Sequence, residues 1–315
     1  MATAFIFPGQ GSQDVGMGKA LAEAFPAARA VFDEVDDALG ERLSDVMFDG
    51  PKDTLTLTAN AQPALMAVSV AATRILESEF GHQVGSAAKF VAGHSLGEYS
   101  ALVSAGSLQV ADAARLLRLR GSAMQEAVPV GAGGMIALLG CGLDAARAIA
   151  AEAADGDVLD VANDNEPAQV VLSGHKTAID RVPAVSKSHG VRRAIPLPVS
   201  APFHCSLMQP AADVMAEALA NIEISKPVVE LIPNVSVRPT ADVEVIRQGL
   251  VEQVTATVRW RETVAAMKAA GVTRFVELGA GKVLAGLVRR TMADGETFSV
   301  GTPDDFAAVV SAFQN

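Results

Sequence analysis

Lys89-Phe90-Val91-Ala92-Gly93-His94-Ser95-Leu96-Gly97-Glu98-Tyr99-Ser100-Ala101-Leu102 is the stretch on which the reading of this chain turns. Residues 90–92 have the composition of a short buried strand, and residues 98–105 that of a helix. Between them lies Gly93-x-Ser95-x-Gly97, the spacing of a nucleophile elbow. The spacing has a steric cause. A serine on a tight strand-to-helix turn adopts a strained backbone, and side chains two residues to either side would collide. Glycine at both flanks removes those side chains. Such a turn presents Ser95 Oγ at the start of a helix. There the Leu96 N–H and the positive helix end can stabilise a nearby oxyanion. The plainer alternative is a glycine-rich turn with a capping serine; the strand before it and the helix after it favour the nucleophile.

Composition bounds the rest. The 315 residues allow one large domain or two smaller ones, and half of them are hydrophobic. Mean hydropathy is +0.29, ample for a sizeable core. The net charge of −11 excludes a general affinity for nucleic acid or anionic membrane. Any acidic partner therefore needs a local basic patch. Cys141 and Cys205 are the only cysteines; they make no disulfide framework, and no metal-ligand spacing is present. A reducing cytoplasm fits this usage. The N-terminus lacks a basic start and runs into a strand and turn, which argues against a signal peptide. The apolar run at residues 64–72 is too short to span a bilayer.

Residues 4–7 read as a buried strand leading into the turn Pro8-Gly9-Gln10-Gly11-Ser12-Gln13. Neither the GxGxxG spacing nor a Walker lysine follows, so a phosphate cradle is disfavoured. Gln10 is instead placed to meet a substrate oxygen, or the segment is a plain turn. Residues 25–39 look helical, residues 51–60 read as a polar loop, and a longer helix follows with Pro63 in its first turn. Residues 110–127 read as a helix carrying Arg115, Arg118 and Arg120. The first two suit a solvated face. Arg120 precedes Gly121, which permits a close backbone approach, so Arg120 is a candidate inward-facing anion clamp, with Met124 one turn on.

Residues 128–197 change character. Strands at 135–139, 158–163, 170–173 and 192–197 and helices at 144–154 and 177–189 give β-α-β-β-α-β, the split ferredoxin-like arrangement. The expectation is an α/β fold: a large hydrolase-like core with a parallel sheet, from residues 1–127 and 198–315, and a small ferredoxin-like α+β subdomain inserted at 128–197. A proline-rich crossing, Pro196-Leu197-Pro198-Val199-Ser200-Ala201-Pro202-Phe203-His204-Cys205, leads back to the large unit. Residues 207–220 and 241–253 read as helices, and 229–235 and 274–278 as strands.

Five histidines are available as a base for Ser95. His94 leaves the elbow in another direction, His82 precedes the strand, and His175 and His189 fall in the inserted unit. His204 sits on a rigid proline-flanked loop, a setting that suits catalytic residues. A hydrolase triad also needs an acid between serine and histidine in chain order. Asp164 and Asp180 qualify by position, but neither stands out.

FPGQGSQ at residues 7–13, AQPAL at 61–65, AGHSLGEYSAL at 92–102, RGSAMQEAVP at 120–129 and PLPVSAPFHCSLM at 196–208 together resemble the malonyl-CoA:acyl-carrier-protein transacylases of bacterial fatty acid synthesis, over nearly the whole length. The resemblance implies a serine–histidine dyad with Ser95 as nucleophile and His204 as base. It implies that the Gln253 backbone carbonyl orients the histidine and that Gln10 and Leu96 supply oxyanion-hole N–H groups. Arg120 would hold the malonyl carboxylate, and Gln62 would line the pocket. Met124 and Phe203, with Leu96 and Val199, offer an apolar lining. Malonyl-CoA would be the substrate and acyl carrier protein the partner, its phosphopantetheine brought by that protein. No metal or resident cofactor, nucleic acid or membrane is expected, and the enzyme would act as a cytoplasmic monomer. Lys187, Arg192 and Arg193, or Arg289 and Arg290, are candidate docking charges. The chain departs from the family pattern at Glu166, at Ala256, Thr257 and Arg259, and at Ala280. Those positions leave the cleft electrostatics and the geometry around Gln253 to the fold. Two rivals share the elbow: a serine esterase or thioesterase with water as acceptor, disfavoured by Arg120 and the missing acid, and a non-catalytic acyl-binding module, disfavoured by Ser95 and His204 together.

Overall fold

The computed structural model describes residues 1–199 and 201–314; Ser200, in the proline-rich crossing, and Asn315 lie outside it. In chain order the strands are β1 (Ala2–Phe7), β2 (Phe90–Gly93), β3 (Gly133–Leu139), β4 (Leu159–Glu166), β5 (Gln169–His175), β6 (Arg193–Pro196), β7 (Glu230–Leu231), β8 (Val272–Leu278) and β9 (Glu296–Val300). One sheet is parallel, in the order β7-β2-β1-β8-β9. The other is antiparallel, in the order β4-β5-β3-β6. This is the expected α/β class with a second, smaller antiparallel sheet.

Strand β1 runs through the middle of the parallel sheet, and its residues from Thr3 to Phe7 are all buried. A parallel sheet covered on both faces requires this. Phe5 and Phe7 enter one apolar cluster, while Ala4 and Ile6 enter the cluster on the opposite face, the period-two alternation of a strand. The chain leaves β1 for β2 on one side and returns to β8 on the other. Loops at the carboxyl ends of β1 and β2 therefore meet at a switch point, where open α/β sheets place their ligands. The two loops touch: His94 N–H donates to the Phe7 carbonyl at 3.0 Å.

Helix Thr58–Ser78 crosses behind the site and is buried on nearly every side. It packs on helix Val110–Glu126, where a Cβ on Gly121 would come within 2.6 Å of the Thr58 oxygen and the Ala59 Cα. The small sheet carries helices Leu143–Ala154 and Lys176–Val185 and has its own apolar cluster, built around Ile136, Leu138, Ile149 and Leu172.

Several local expectations need correction. Residues 51–60 are helical rather than a polar loop, with helix Lys52–Thr56 followed at once by Thr58–Ser78. Pro63 thus lies inside a helix and not in its first turn. It removes one ladder hydrogen bond, and burial of the helix on nearly every side offsets the loss. The strand expected at 229–235 is only Glu230–Leu231. Ile232 still donates to the Val91 carbonyl, after which Pro233 has no N–H to give. Helices Leu43–Asp49, Trp260–Ala269 and Phe306–Phe313 and strand β9 add to the elements expected from sequence.

Strand β4 stitches the small sheet to the rest. Val258 N–H donates to the Ala162 carbonyl at 2.9 Å, and Asp164 N–H to the Val258 carbonyl at 3.0 Å. Asp164, 1% exposed, receives a forked Arg261 guanidinium at 2.7–3.0 Å. Asp164→Ala would strand that guanidinium against the seam. It should lower the unfolding free energy by about 2–3 kcal/mol, read by urea denaturation; a change under about 0.5 kcal/mol would show that the fork adds nothing.

Candidate active site

The turn after β2 has no spare volume. A Cβ on Gly93 would lie 1.8 Å from the Gly97 carbonyl carbon, and one on Gly97 would lie 2.2 Å from the Phe7 oxygen. Ser95 between them has φ 53°, in the left-handed region that a side chain seldom adopts. This is the elbow that the sequence spacing demands. Leu96 caps helix Gly97–Ser104, and N–H groups at a helix start have no intrahelical acceptor.

Asn234, just beyond β7 and fully buried, braces the turn. Its Oδ1 accepts from the Ser95 N–H at 2.8 Å, its Nδ2 donates to the Gly93 carbonyl at 2.6 Å, and its own N–H donates to Glu98 at 3.1 Å. Neither Asn234 nor Glu98 was singled out from sequence. Their one signal was local: Glu98 is a carboxylate one residue beyond the elbow, and Asn234 follows a strand-ending proline.

His204 Nε2 lies 2.8 Å from Ser95 Oγ. His204 Nδ1 lies 2.8 Å from the Gln253 backbone carbonyl, which can only accept. The ring proton is therefore on Nδ1, and Nε2 is free to accept from the serine hydroxyl. No carboxylate takes the place of the Gln253 oxygen. Asp164 is committed to Arg261, and Asp180 to Lys176. Burial, with the Arg120 charge adding to it, pulls the His204 imidazole down to about 3.

Arg120 is 1% exposed. Its guanidinium donates to Gln62 Oε1 at 2.8 Å, Gln253 Oε1 at 2.8 Å and Ser95 Oγ at 3.2 Å. All three acceptors are neutral, so a full cation faces the serine with no carboxylate in direct contact. Gln62 Nε2 points at Met124 Sδ, 3.7 Å away. Met124 and Phe203 are buried in the main apolar cluster. Gln10, in the loop after β1, reaches Thr58 Oγ1 at 3.4 Å through its side chain.

The other histidines are elsewhere. His94 Nε2 meets Asn165 Oδ1 at 2.9 Å, His82 packs on Phe313, His175 accepts from the Val158 N–H, and His189 pairs with Glu152. The departures from the family pattern have local partners. Glu166 faces Arg290 at 3.6 Å and accepts from the Ala168 N–H, Thr257 Oγ1 donates to the Val161 carbonyl, and Arg259 pairs with Glu262. The docking candidates Lys187, Arg192, Arg193, Arg289 and Arg290 are all exposed; Arg290 also faces Glu166, and Arg289 donates to Thr297 Oγ1 at 2.7 Å. Among the described residues no group of His, Cys, Asp and Glu is placed to hold a metal ion, and no helix is long and apolar enough to cross a membrane.

A hydroxyl, a neutral imidazole aimed at it and a fixed cation beside it make a site for acyl chemistry on an anionic acyl group. A family profile described as an acyl transferase domain matches residues 4–307, and the chain belongs to that family. It is 43% identical to the malonyl CoA-acyl carrier protein transacylase of Bacillus subtilis, over 99% of this chain and 97% of that one. It is 44% identical to the enzyme of the same name from Escherichia coli K12, over 98% of both. Among solved structures, the acyl-carrier-protein S-malonyltransferase of Bartonella henselae superposes with a TM-score of 0.97 at 52% identity, covering all of both chains. A malonyl-transacylase in complex with its type II PKS acyl-carrier protein superposes with a TM-score of 0.95 at 42% identity, covering 99% of this chain and 100% of that one.

Two outcomes follow from the geometry. Gly93→Ala should cost at least about 3 kcal/mol of stability, seen as a loss of soluble folded protein or a large fall in Tm. A near-normal Tm would mean the turn has slack. Because the His204 pKa is depressed, its ring stays unprotonated at any pH well above about 3. Its NMR nitrogen shifts should be flat from pH 8 to pH 5; a titration centred near 6.5 would contradict the buried, cation-facing setting.

Proposed function

We propose that this protein transfers a malonyl group from malonyl-CoA to the phosphopantetheine thiol of acyl carrier protein through a malonyl-Ser95 ester, feeding fatty acid biosynthesis. The observation that carries this reading is the buried Arg120 guanidinium 3.2 Å from Ser95 Oγ, in a chain whose relatives bear the transacylase name.

His204 Nε2 takes the Ser95 proton as Oγ attacks the thioester carbonyl. The tetrahedral oxyanion rests on the backbone N–H groups of Gln10 and Leu96; losing one such donor costs roughly 3 kcal/mol. The C–S bond then breaks and coenzyme A leaves with the proton from His204. The phosphopantetheine thiol gives its proton to His204, attacks the ester, and leaves as the malonyl thioester while Ser95 regains its proton. The kinetics are ping-pong. The Gln253 carbonyl holds the ring tautomer throughout. Gln62 and Gln253 aim the Arg120 fork, which pairs with a carboxylate in a way lysine cannot copy. Met124 and Phe203 supply apolar lining that disfavours water.

In the same reading, residues 128–197 are a small subdomain inserted between the two parts of the large one, residues 1–127 and 198–315. The enzyme needs no metal or resident cofactor, since the partner brings the phosphopantetheine. It works as a cytoplasmic monomer, with the acidic carrier docking on Lys187, Arg192 and Arg193, or on Arg289 and Arg290.

Arg120→Ala should lower kcat/KM for malonyl-CoA about 100-fold or more and leave acetyl-CoA unchanged or improved. Steady-state transfer to holo acyl carrier protein reads both; an equal fall for the two acyl groups would remove the clamp from the scheme.

A further inference from the structure

Glu98 is a fully buried carboxylate behind the elbow that the transfer scheme does not use. Its Oε2 accepts from the Asn234 N–H at 3.1 Å and from Gln253 Nε2 at 2.7 Å, and its Oε1 has no hydrogen-bond partner. The other end of the same Gln253 amide, Oε1, accepts from Arg120 at 2.8 Å. A cation and a carboxylate are thus joined by one amide, with no direct contact between them. Each is poorly compensated alone: Arg120 meets only neutral acceptors, and Glu98 keeps one bare oxygen.

We propose that Glu98 is a positioning residue that balances the charge of Arg120 through the Gln253 amide, and that it takes up a proton when a carboxylate-bearing acyl group is loaded on Ser95. This rests on the malonyl reading above. When the acyl carboxylate pairs with Arg120, the cation is neutralised and its field no longer supports an anion at Glu98. The buried carboxylate then binds a proton. Coupling is reciprocal: protonated Glu98 favours the malonyl group, and ionised Glu98 disfavours it. An acetyl group leaves Arg120 unpaired and perturbs nothing.

The titratable groups of this cluster are few. Arg120 comes from helix Val110–Glu126, Tyr99 from the helix of Glu98 itself, His94 from the elbow and His204 from the crossing loop. Burial holds Tyr99 neutral by raising it to about 12, and it lowers both histidines, His204 to about 3. Arg120 is the one cation among them. Burial raises Glu98 to about 7, against the Asn234 and Gln253 hydrogen bonds and the Arg120 charge, so its proton is exchanged within the working range.

The test is the ratio of kcat/KM for malonyl-CoA to that for acetyl-CoA between pH 6 and pH 8.5, in the wild type and in Glu98→Gln. The ratio cancels any titration of His204 common to both substrates. It should fall at least about fivefold with rising pH in the wild type and stay flat in the variant. A flat wild-type ratio, or the same slope in both proteins, overturns the proposal. Should Glu98→Gln fail to fold, proton uptake decides on the wild type alone. Stoichiometric malonyl-CoA and acetyl-CoA are mixed with enzyme and a pH indicator in weak buffer at pH 7, and intact mass checks the adduct. A malonyl adduct with about half a proton more uptake than the acetyl adduct supports the role. A malonyl adduct with no excess uptake overturns the charge coupling but leaves the transferase reading standing. No malonyl adduct at all overturns both.

Discussion

The turn at Ser95 leaves no room for a Cβ at either flank, and the rest of the site depends on that contact. With Gly93 and Gly97 pressed against backbone, Ser95 is held at a positive φ with its hydroxyl between His204 and Arg120. Strain of this kind persists only where the surroundings over-determine it. Here the surroundings are polar. Asn234 clamps both sides of the turn, and the Gln253 side chain reaches the Ser95 carbonyl at 3.1 Å. The residue that holds the histidine by its backbone therefore also holds the serine by its side chain.

Charge is distributed around this turn by burial rather than by direct pairing. Arg120 and Glu98 are each shut away from solvent and linked only through amides. Removing water makes the guanidinium field strong at Ser95 and at His204. That same field, on top of burial, keeps the imidazole unprotonated and so ready to accept a proton. A carboxylate in direct contact with Arg120 would cancel the field. Neutral amides fix the fork's direction and leave its charge available.

The seam between the two sheets reaches the site through four successive residues of β4. Asn163 bridges to Val258, Asp164 takes the Arg261 fork, Asn165 meets His94 next to Ser95, and Glu166 faces Arg290. The extra carboxylate at Glu166 is thus a partner for Arg290 on helix Val283–Thr291 and not an unpaired charge. Thr257, another departure, ties its loop to the Val161 carbonyl, and Gln253 keeps its carbonyl within 2.8 Å of the histidine ring.

The elbow, the β-α-β-β-α-β unit and the inward turn of Arg120 were legible in the sequence because each rests on short-range causes. Two glycines bracket a serine, periodicity switches between 2 and 3.6, and a glycine follows an arginine. The same reasoning failed at Pro63 and at residues 229–235, where burial on nearly every side overrode a local breaker and Pro233 cut short an apolar run. It was silent on Asn234 and Glu98. Asn234 lies 139 residues from its Ser95 partner, and Glu98 is indistinguishable from any other helix-start carboxylate until its burial is known. Sequence alone determined that a serine would stand on a sharp turn, because that demand is met or broken within five residues. The family resemblance, not local chemistry, pointed to His204 and to a dyad with no acid behind it. Only the tertiary structure decided that the Gln253 amide joins Arg120 to a buried Glu98 and that Asn234 braces the turn. Those are pairings between chain segments far apart, and local chemistry does not encode them.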